Sequence, residues 1–398
     1  KVKFVASNMV SFVGEAGGEV EVFTMLGLLQ TLLPDTLGVE LYDHLMELED
    51  EVFCWPVRGP RIFRQIVDGL PLLRDDGDGC ASRPDIVALT EYDVIHERAN
   101  YTGVVEQTFG EAMSGEGFDH VLLKTPKSGI PQGVGLFWRR ATFELAGPVP
   151  AAAHTLEVAC GEILGDGVIT NVDFHERWHR RLDSGDDAEV EMPLADRRNF
   201  GSVRLRHAAC NRTLTIVASH LMTSSRDSAD VTRFPGEVRA GELATVREHV
   251  ATKVPVEDAV IFTGDFNIAS DDSSVWTGFL RSPCETRELQ VHTGWREDSG
   301  RRSFAWEVAG EPLALVEVFD SVHRWGAGVG HDKTCTSMNA DRVEWIDYMW
   351  CSPSSLSPVA VSENRTPLST LPNRVHGSDH LPIAARFKFR PTSSKHGS

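Results

Sequence analysis

The sequence predicts an α/β fold around one continuous core, and three features carry that expectation. Stretches with apolar residues at helical spacing alternate with short apolar runs of strand length. With 41% hydrophobic and 24% charged residues over 398 positions, the chain can bury a substantial interior. No fixed-period repeat or long low-complexity block divides it, so residues 1–390 are expected to form one domain, with 391–398 a loose polar tail.

In chain order, Lys1–Phe12 reads as a strand, because Val2, Phe4, Val10 and Phe12 alternate with smaller or polar residues around Asn8. The acidic stretch Glu40–Glu51 places Leu41, Leu45 and Leu48 at helical spacing and reads as an amphipathic surface helix, within an insertion near 14–60. Arg61–Leu73 carries Ile62, Ile66, Val67 and Leu70 on one stripe. Beyond the Gly- and Asp-rich loop Asp75–Pro84, the apolar strand Asp85–Leu89 ends at Thr90-Glu91. Gly133–Trp138, Thr213–His220 and Asp258–Phe266 continue the alternation. Residues 148–199, mixed in charge, read as a second insertion at one end of a sheet.

The formal net charge is -19, from 58 acidic and 39 basic residues, and a surface of that sign repels long polyanions. Bound divalent cations would reverse the sign locally. Seven cysteines, odd in number, scattered and without a C-x-x-C pair, argue against a disulfide framework or a zinc ribbon. No apolar run approaches the ~20 residues of a spanning helix, so a soluble chain is expected, with no membrane partner. The sequence opens at Lys1 without an initiator methionine or a signal-like stretch, and any targeting segment is expected to have been removed.

Six apolar segments end in metal-ligand chemistry: Ser7-Asn8, Thr90-Glu91, Ser219-His220, Gly264-Asp265-Phe266-Asn267, Ile346-Asp347-Tyr348 and Ser378-Asp379-His380. Oxygen donors dominate, which suits Mg²⁺ or Mn²⁺. A carboxylate at the end of an apolar strand is costly unless compensated, which favours function over structure for Glu91 and Asp265. Asn8 alone could cap a turn, and His220 could be a satisfied core histidine.

In this order the segments resemble the endonuclease/exonuclease/phosphatase superfamily, and its deadenylase-like branch most closely. Phe262-Thr263-Gly264-Asp265-Phe266-Asn267 is similar to that branch's Gly-Asp-Phe-Asn motif, and Leu371-Pro372-Asn373 with Gly377-Ser378-Asp379-His380-Leu381-Pro382 to its closing signature. The resemblance implies a four-layer α-β-β-α sandwich, two packed mixed β-sheets flanked by helices, with the active site at one edge. It implies Glu91, Asn8 and Asp379 as metal ligands, Asp265 orienting or deprotonating the attacking water, and Asn267 on a phosphate oxygen. His380 would stabilise transition-state charge with Asp347 behind its imidazole, His220 would touch the phosphate from the far side, and Arg342 and Asn373 would bind substrate.

Two positions depart from the family pattern. Thr90 replaces the usual Gln before the metal-binding Glu, and Arg342 stands where poly(A)-cutting relatives tend to place an aromatic. One further motif, His175-Glu176-Arg177-Trp178-His179, fits the zinc pattern H-E-x-x-H. Crowded by Arg177, Arg180 and Arg181 and lacking a third ligand at a family spacing, it reads instead as a solvated, charge-balanced helix. The expected activity is divalent-metal-dependent hydrolysis of a phosphodiester by a metal-activated water, on a short nucleic acid or a small phosphoester. The same site could serve non-phosphate chemistry such as CO₂ hydration, or the protein could be a catalytically idle binding protein.

Overall fold

A computed structural model describes residues 2–5, 55–74, 80–93, 108–126, 132–148, 155–174, 179–181, 187–189, 198–222, 235–268, 303–308, 311–319, 335–338, 343–362, 371, 378 and 380–391. In chain order these form β1 (Val2–Val5), α1 (Trp55–Asp68), β2 (Leu70–Arg74), β3 (Cys80–Ser82), β4 (Ile86–Asp93), α2 (Phe109–Gly115), β5 (Phe118–Lys124), β6 (Gln132–Arg139) and β7 (Phe143–Leu145). There follow β8 (Thr155–Val158), β9 (Ile163–Leu164), β10 (Ile169–Asp173), β11 (His179–Arg181), β12 (Asp187–Glu189), β13 (Asn199–His207), β14 (Thr213–His220) and α3 (Pro235–Lys253). The remainder are β15 (Ala259–Asp265), β16 (Ser303–Val308), β17 (Glu311–Glu317), β18 (Ser337–Met338), β19 (Val343–Glu344), β20 (Asp347–Cys351), β21 (Leu356–Ser362) and β22 (Ile383–Phe389).

Two large mixed sheets carry the fold. The first has the order β3-β2-β21-β22-β1-β4-β6-β5-β8, and the second the order β16-β17-β20-β15-β14-β13-β10-β9, with β7 pairing the far end of β13. Strand alternation decides what each face packs against. From the first sheet Ile86, Ala88, Val121, Leu123 and Leu136, and from the second Val203, Leu214, Ile216, Ala218 and Ile261, form one core between the sheets. The alternate residues Val217, Val260, Phe262 and Trp350 face outward, where α3 covers them with Leu243, Val246 and Val250. On the opposite outer face Val87, Leu89, Leu122 and Phe137 take up Ile62 and Ile66 of α1 and Phe109 and Met113 of α2. The result is the helix, sheet, sheet, helix layering that the resemblance implies.

Buried amides tie the two sheets together at one end. The Asn199 Nδ2 group donates to Asn171 Oδ1 at 2.8 Å and to Leu123 O at 3.1 Å, while Asn171 Nδ2 donates to Lys124 O at 2.8 Å and Val158 O at 2.9 Å. At the other end the buried Asp258 accepts from Arg204 Nε at 2.7 Å and from Thr215 Oγ1 at 2.7 Å. The hydrogen bond to Asp258 raises the Arg204 pKa, a buried charge compensated as structural ones usually are.

Residues 155–173, expected within an insertion, supply β8 to the first sheet and β9 and β10 to the second. The H-E-x-x-H stretch is corrected where it is described: His179–Arg181 is a strand and not part of a helix. Its Cα partners are Glu189, Ala188 and Asp187, in an antiparallel hairpin. The expected helix Glu40–Glu51 lies outside the described residues.

Gly264 is required by close approach. In the parallel pair β14·β15 it lies opposite Ser219, and a Cβ there would run into the Ser219 carbonyl oxygen. Gly264→Ala is expected to destabilise the fold by about 3 kcal/mol or more, since backbone cannot step aside as a side chain can; equilibrium urea unfolding measures it. His249 on α3 is buried, with Nε2 3.0 Å from Ser202 Oγ, and burial, reinforced by the Lys253 charge, lowers its pKa to about 4. The unfolded chain therefore binds the proton more readily, and stability falls as pH drops from the ordinary histidine value toward about 4. His249→Gln should flatten this by on the order of 3 kcal/mol, read as the difference in unfolding free energy between pH 7 and pH 4.5 in the two proteins.

Candidate active site

Strand register builds half of the site. In the second sheet His220 pairs with Asp265 across β14·β15, and Asp265 with Asp347 across β15·β20, so the three lie in one row at the ends of neighbouring strands. Each is in phase with inward-facing residues of its strand: His220 with Ile216 and Ala218, Asp265 with Ala259 and Ile261, Asp347 with Met349 and Cys351. All three side chains therefore point toward the first sheet, and all three residues are buried.

The first sheet answers with Glu91, brought there by an irregularity in β4. Against β6, Leu89 pairs with Gly135 and Tyr92 with Gly133, so β4 holds one extra residue between them. The bulge restores Tyr92 to the helix-covered face beside Leu89 and turns the intervening residues out of simple alternation. Glu91 adopts φ 55°, and of the four non-glycine residues with positive φ among the described residues it alone is neither Asn nor Asp. A left-handed glutamate costs roughly 1 kcal/mol or more and persists where surrounding structure demands it. Its Oε1 lies 3.6 Å from His220 Nε2, which is also 3.8 Å from Asp265 Oδ2. Gly135 makes the bulge possible, for a Cβ there would press on the Tyr92 ring at 2.8 Å.

His380 enters just before β22, also from the first sheet. Its Nδ1 lies 2.8 Å from Asp347 Oδ2, which leaves Nε2 facing Asp265 Oδ2 at 3.9 Å. Ser378 Oγ accepts the His380 N–H at 3.1 Å, and Ser337 bridges to His380. Asn267 also has positive φ, at 49°; its N–H donates to Asp265 Oδ1 at 2.9 Å and its Nδ2 to Leu221 O at 2.9 Å. Asp265 thus has one oxygen committed to the backbone and the other turned toward both imidazoles.

The donor set fits a hard divalent cation. Glu91 reaches in from the opposite sheet as the carboxylate that would hold it, beside a group in which one possible ligand atom each from Asp265, Asp347 and His380 lies within 4.8 Å of the others. Several carboxylates cannot all stay ionised in so small a buried volume unless positive charge joins them. Asp258, just before the strand that ends in Asp265, has an arginine for this; at the strand's other end two imidazoles stand with the acids. Oxygen-rich donors with nitrogen at the margin select magnesium-like ions over thiophilic ones.

Six of the ten residues expected at the site, Glu91, His220, Asp265, Asn267, Asp347 and His380, are thus gathered at one mouth of the sandwich. Asn8, Arg342, Asn373 and Asp379 lie outside the described residues. Thr90, buried beside Glu91, has no hydrogen-bond partner for its hydroxyl among the described residues. Two supporting residues carried no signal in the sequence. Thr336 Oγ1 accepts the N–H groups of Ile346 and Asp347, and the buried Glu242 on α3 accepts the Met222 N–H at 2.9 Å just beyond His220. Thr336 follows no apolar run, and Glu242 resembles any acidic residue of a helix.

No curated protein sequence is detectably similar. Among solved structures, the human nocturnin catalytic domain with bound sulfate shares 16% identity, with 84% of this chain and 87% of that one covered and a TM-score of 0.46. ANGEL2, a 2′,3′-cyclic phosphatase, in complex with adenosine-2′,3′-vanadate, shares 15% over 84% of this chain and 86% of that one, TM-score 0.49. A mannosyl-6-phosphatase of Bacteroides thetaiotaomicron shares 12% over 84% and 92%, TM-score 0.45. A family model matches residues 70–380, which span β2 to His380 and contain the whole described site. Over that span the chain belongs to the endonuclease/exonuclease/phosphatase family, whose members are metal-dependent phosphoesterases and nucleases.

Proposed function

We propose that this protein hydrolyses a phosphodiester in a short nucleic acid, in the manner of a 3′-exonuclease, or in a small phosphoester, with Mg²⁺ or Mn²⁺ as cofactor. The supporting observation is Glu91: a residue held in a costly backbone conformation so that its carboxylate meets, from the opposite sheet, the His220 imidazole that also faces Asp265. A purely structural acid would not need that conformation. Glu91, with Asn8 and Asp379, would hold the metal, which when bound supplies Lewis-acid withdrawal of charge from the phosphate.

The chain's own residues carry the proton and charge steps. Asp265 Oδ1 is fixed by the Asn267 N–H, so Oδ2 orients a water and takes its proton as the water attacks phosphorus, while the ester P–O bond breaks and the leaving oxygen takes a proton from solvent. His380, with Nδ1 donating to Asp347, offers Nε2 on the same side to the phosphoryl oxygens as charge builds on them. The second hydrogen of the Asn267 amide, beyond the one given to Leu221 O, serves a phosphate oxygen. His220, between Glu91 and Asp265, keeps two acids apart and contacts the phosphate from the other side. Arg342 and Asn373 would hold substrate. The net charge of -19 favours short substrates over long ones.

Hydrolysis of a 5′-labelled oligoadenylate and of a generic phosphodiester is the test, run with Mg²⁺, with Mn²⁺ and after chelation. Stepwise shortening or ester cleavage that needs metal and falls at least ~10²-fold in Asp265→Asn and His380→Ala is the expected result. Near-normal turnover in either variant, or no cleavage with any divalent metal by a protein that still binds one, overturns the reading. Glu91→Gln should chiefly weaken Mn²⁺ affinity by calorimetry. An unchanged isotherm would move the metal elsewhere.

A further inference from the structure

We infer that Thr336 is a positioning residue for the proposed hydrolysis, holding Asp347 in register with His380. The residue is fully buried, and its one hydroxyl oxygen accepts two successive backbone N–H groups, from Ile346 at 2.9 Å and from Asp347 at 3.0 Å. Its own N–H donates to Glu344 O at 3.0 Å, and its carbonyl accepts the Leu381 N–H at 2.7 Å. The next residue, Ser337, bridges to His380 itself. One residue therefore fastens the segment that ends in Asp347 and the segment that carries His380, whose side chains meet at 2.8 Å.

The arrangement replaces what a regular ladder would do. Asp347 begins β20, and its N–H and that of Ile346 find a side-chain oxygen where a strand carbonyl would otherwise stand. A hydroxyl has two lone pairs and can accept both bonds, whereas Val, the same shape without the oxygen, strands two buried donors. The segment then relaxes to recover them, and the Asp347 carboxylate moves with it. Misplacement of a group behind the reacting centre by about 1 Å can cost ~10²-fold in rate.

The kinetic half of the test rests on the hydrolase reading, and the spectroscopic half does not. Thr336→Val is expected to lower kcat about 10- to 100-fold with KM within about 3-fold, while Thr336→Ser stays within about 3-fold of wild type in both. In an Asp347→Asn background Thr336→Val should add little further loss, because residues acting as one unit do not add. Independently of activity, the hydrogen-bonded His380 imidazole N–H proton should be present by NMR in wild type and Thr336→Ser and lost in Thr336→Val. Should the Val variant not fold, Thr336→Ser and Thr336→Ala, which both lack the methyl, isolate the hydroxyl: Ala is expected to fall about 10-fold or more below Ser and to lose the resonance. Equal Ser and Ala variants, a retained resonance in Val, or full multiplication of the loss in the Asp347→Asn background overturns the inference. If wild type cleaves no phosphoester, the functional reading fails, and the imidazole resonance alone decides Thr336.

Discussion

Parallel pairing of β14 with β15, drawn so close at Ser219 and Gly264 that no side chain fits between, sets the position of everything at the site. That approach puts His220 level with Asp265, and the antiparallel step to β20 puts Asp347 level with both. A shift of one residue in either ladder would send an acid to the helix-covered face, where Phe262, Trp350 and the aliphatic residues of α3 leave no room for charge. The glycine of the Gly-Asp-Phe-Asn motif thus acts on the chemistry through geometry, without touching it.

The two sheets divide the labour. The second supplies a rigid row of side chains on regular strands, whereas the first supplies Glu91 and His380 from irregular backbone, a bulge and a strand approach. Regular strands fix spacing to a pleat repeat that no reaction requires, and the irregular pair adjusts the remaining distances. The Asn171 and Asn199 amides clamp the sheets at this end, so the two halves of the constellation keep their separation.

Much of this was legible in the sequence because apolar runs that stop at an acid or an imidazole break a pattern the eye already follows. β14 and β15 lie where their runs placed them, and Glu91, His220, Asp265, Asp347 and His380 meet as the order of their motifs implied. What escaped had no such contrast. The bulge at Glu91 depends on Gly133 and Gly135 of another strand, and the double acceptor at Thr336 exists only once β18 has paired with β19 and brought residues 346 and 347 against it. α3 was overlooked because its apolar stripe is flanked by Arg239, Glu242, Arg247 and His249, polar residues that tertiary packing nonetheless buries. The H-E-x-x-H stretch misled as a helix because the motif itself implies one, whereas His179–Arg181 finds its cross-strand partners six to ten residues on, in Asp187–Glu189.

The position of β22 in the first sheet gives the site a schedule. It is the last described strand in the chain, yet it lies inside the sheet, between β21 and β1, and among the described residues it joins the block β3-β2-β21 to the block β1-β4-β6-β5-β8. His380 directly precedes it. During synthesis, then, the acids and His220 can be in place while the sheet is still in two pieces and the imidazole opposite Asp347 has yet to arrive. Insertion of one strand closes the described sheet and brings the imidazole opposite Asp347 in the same event, so in the proposed mechanism the group that stabilises the phosphoryl charge depends on the strand that joins the two blocks.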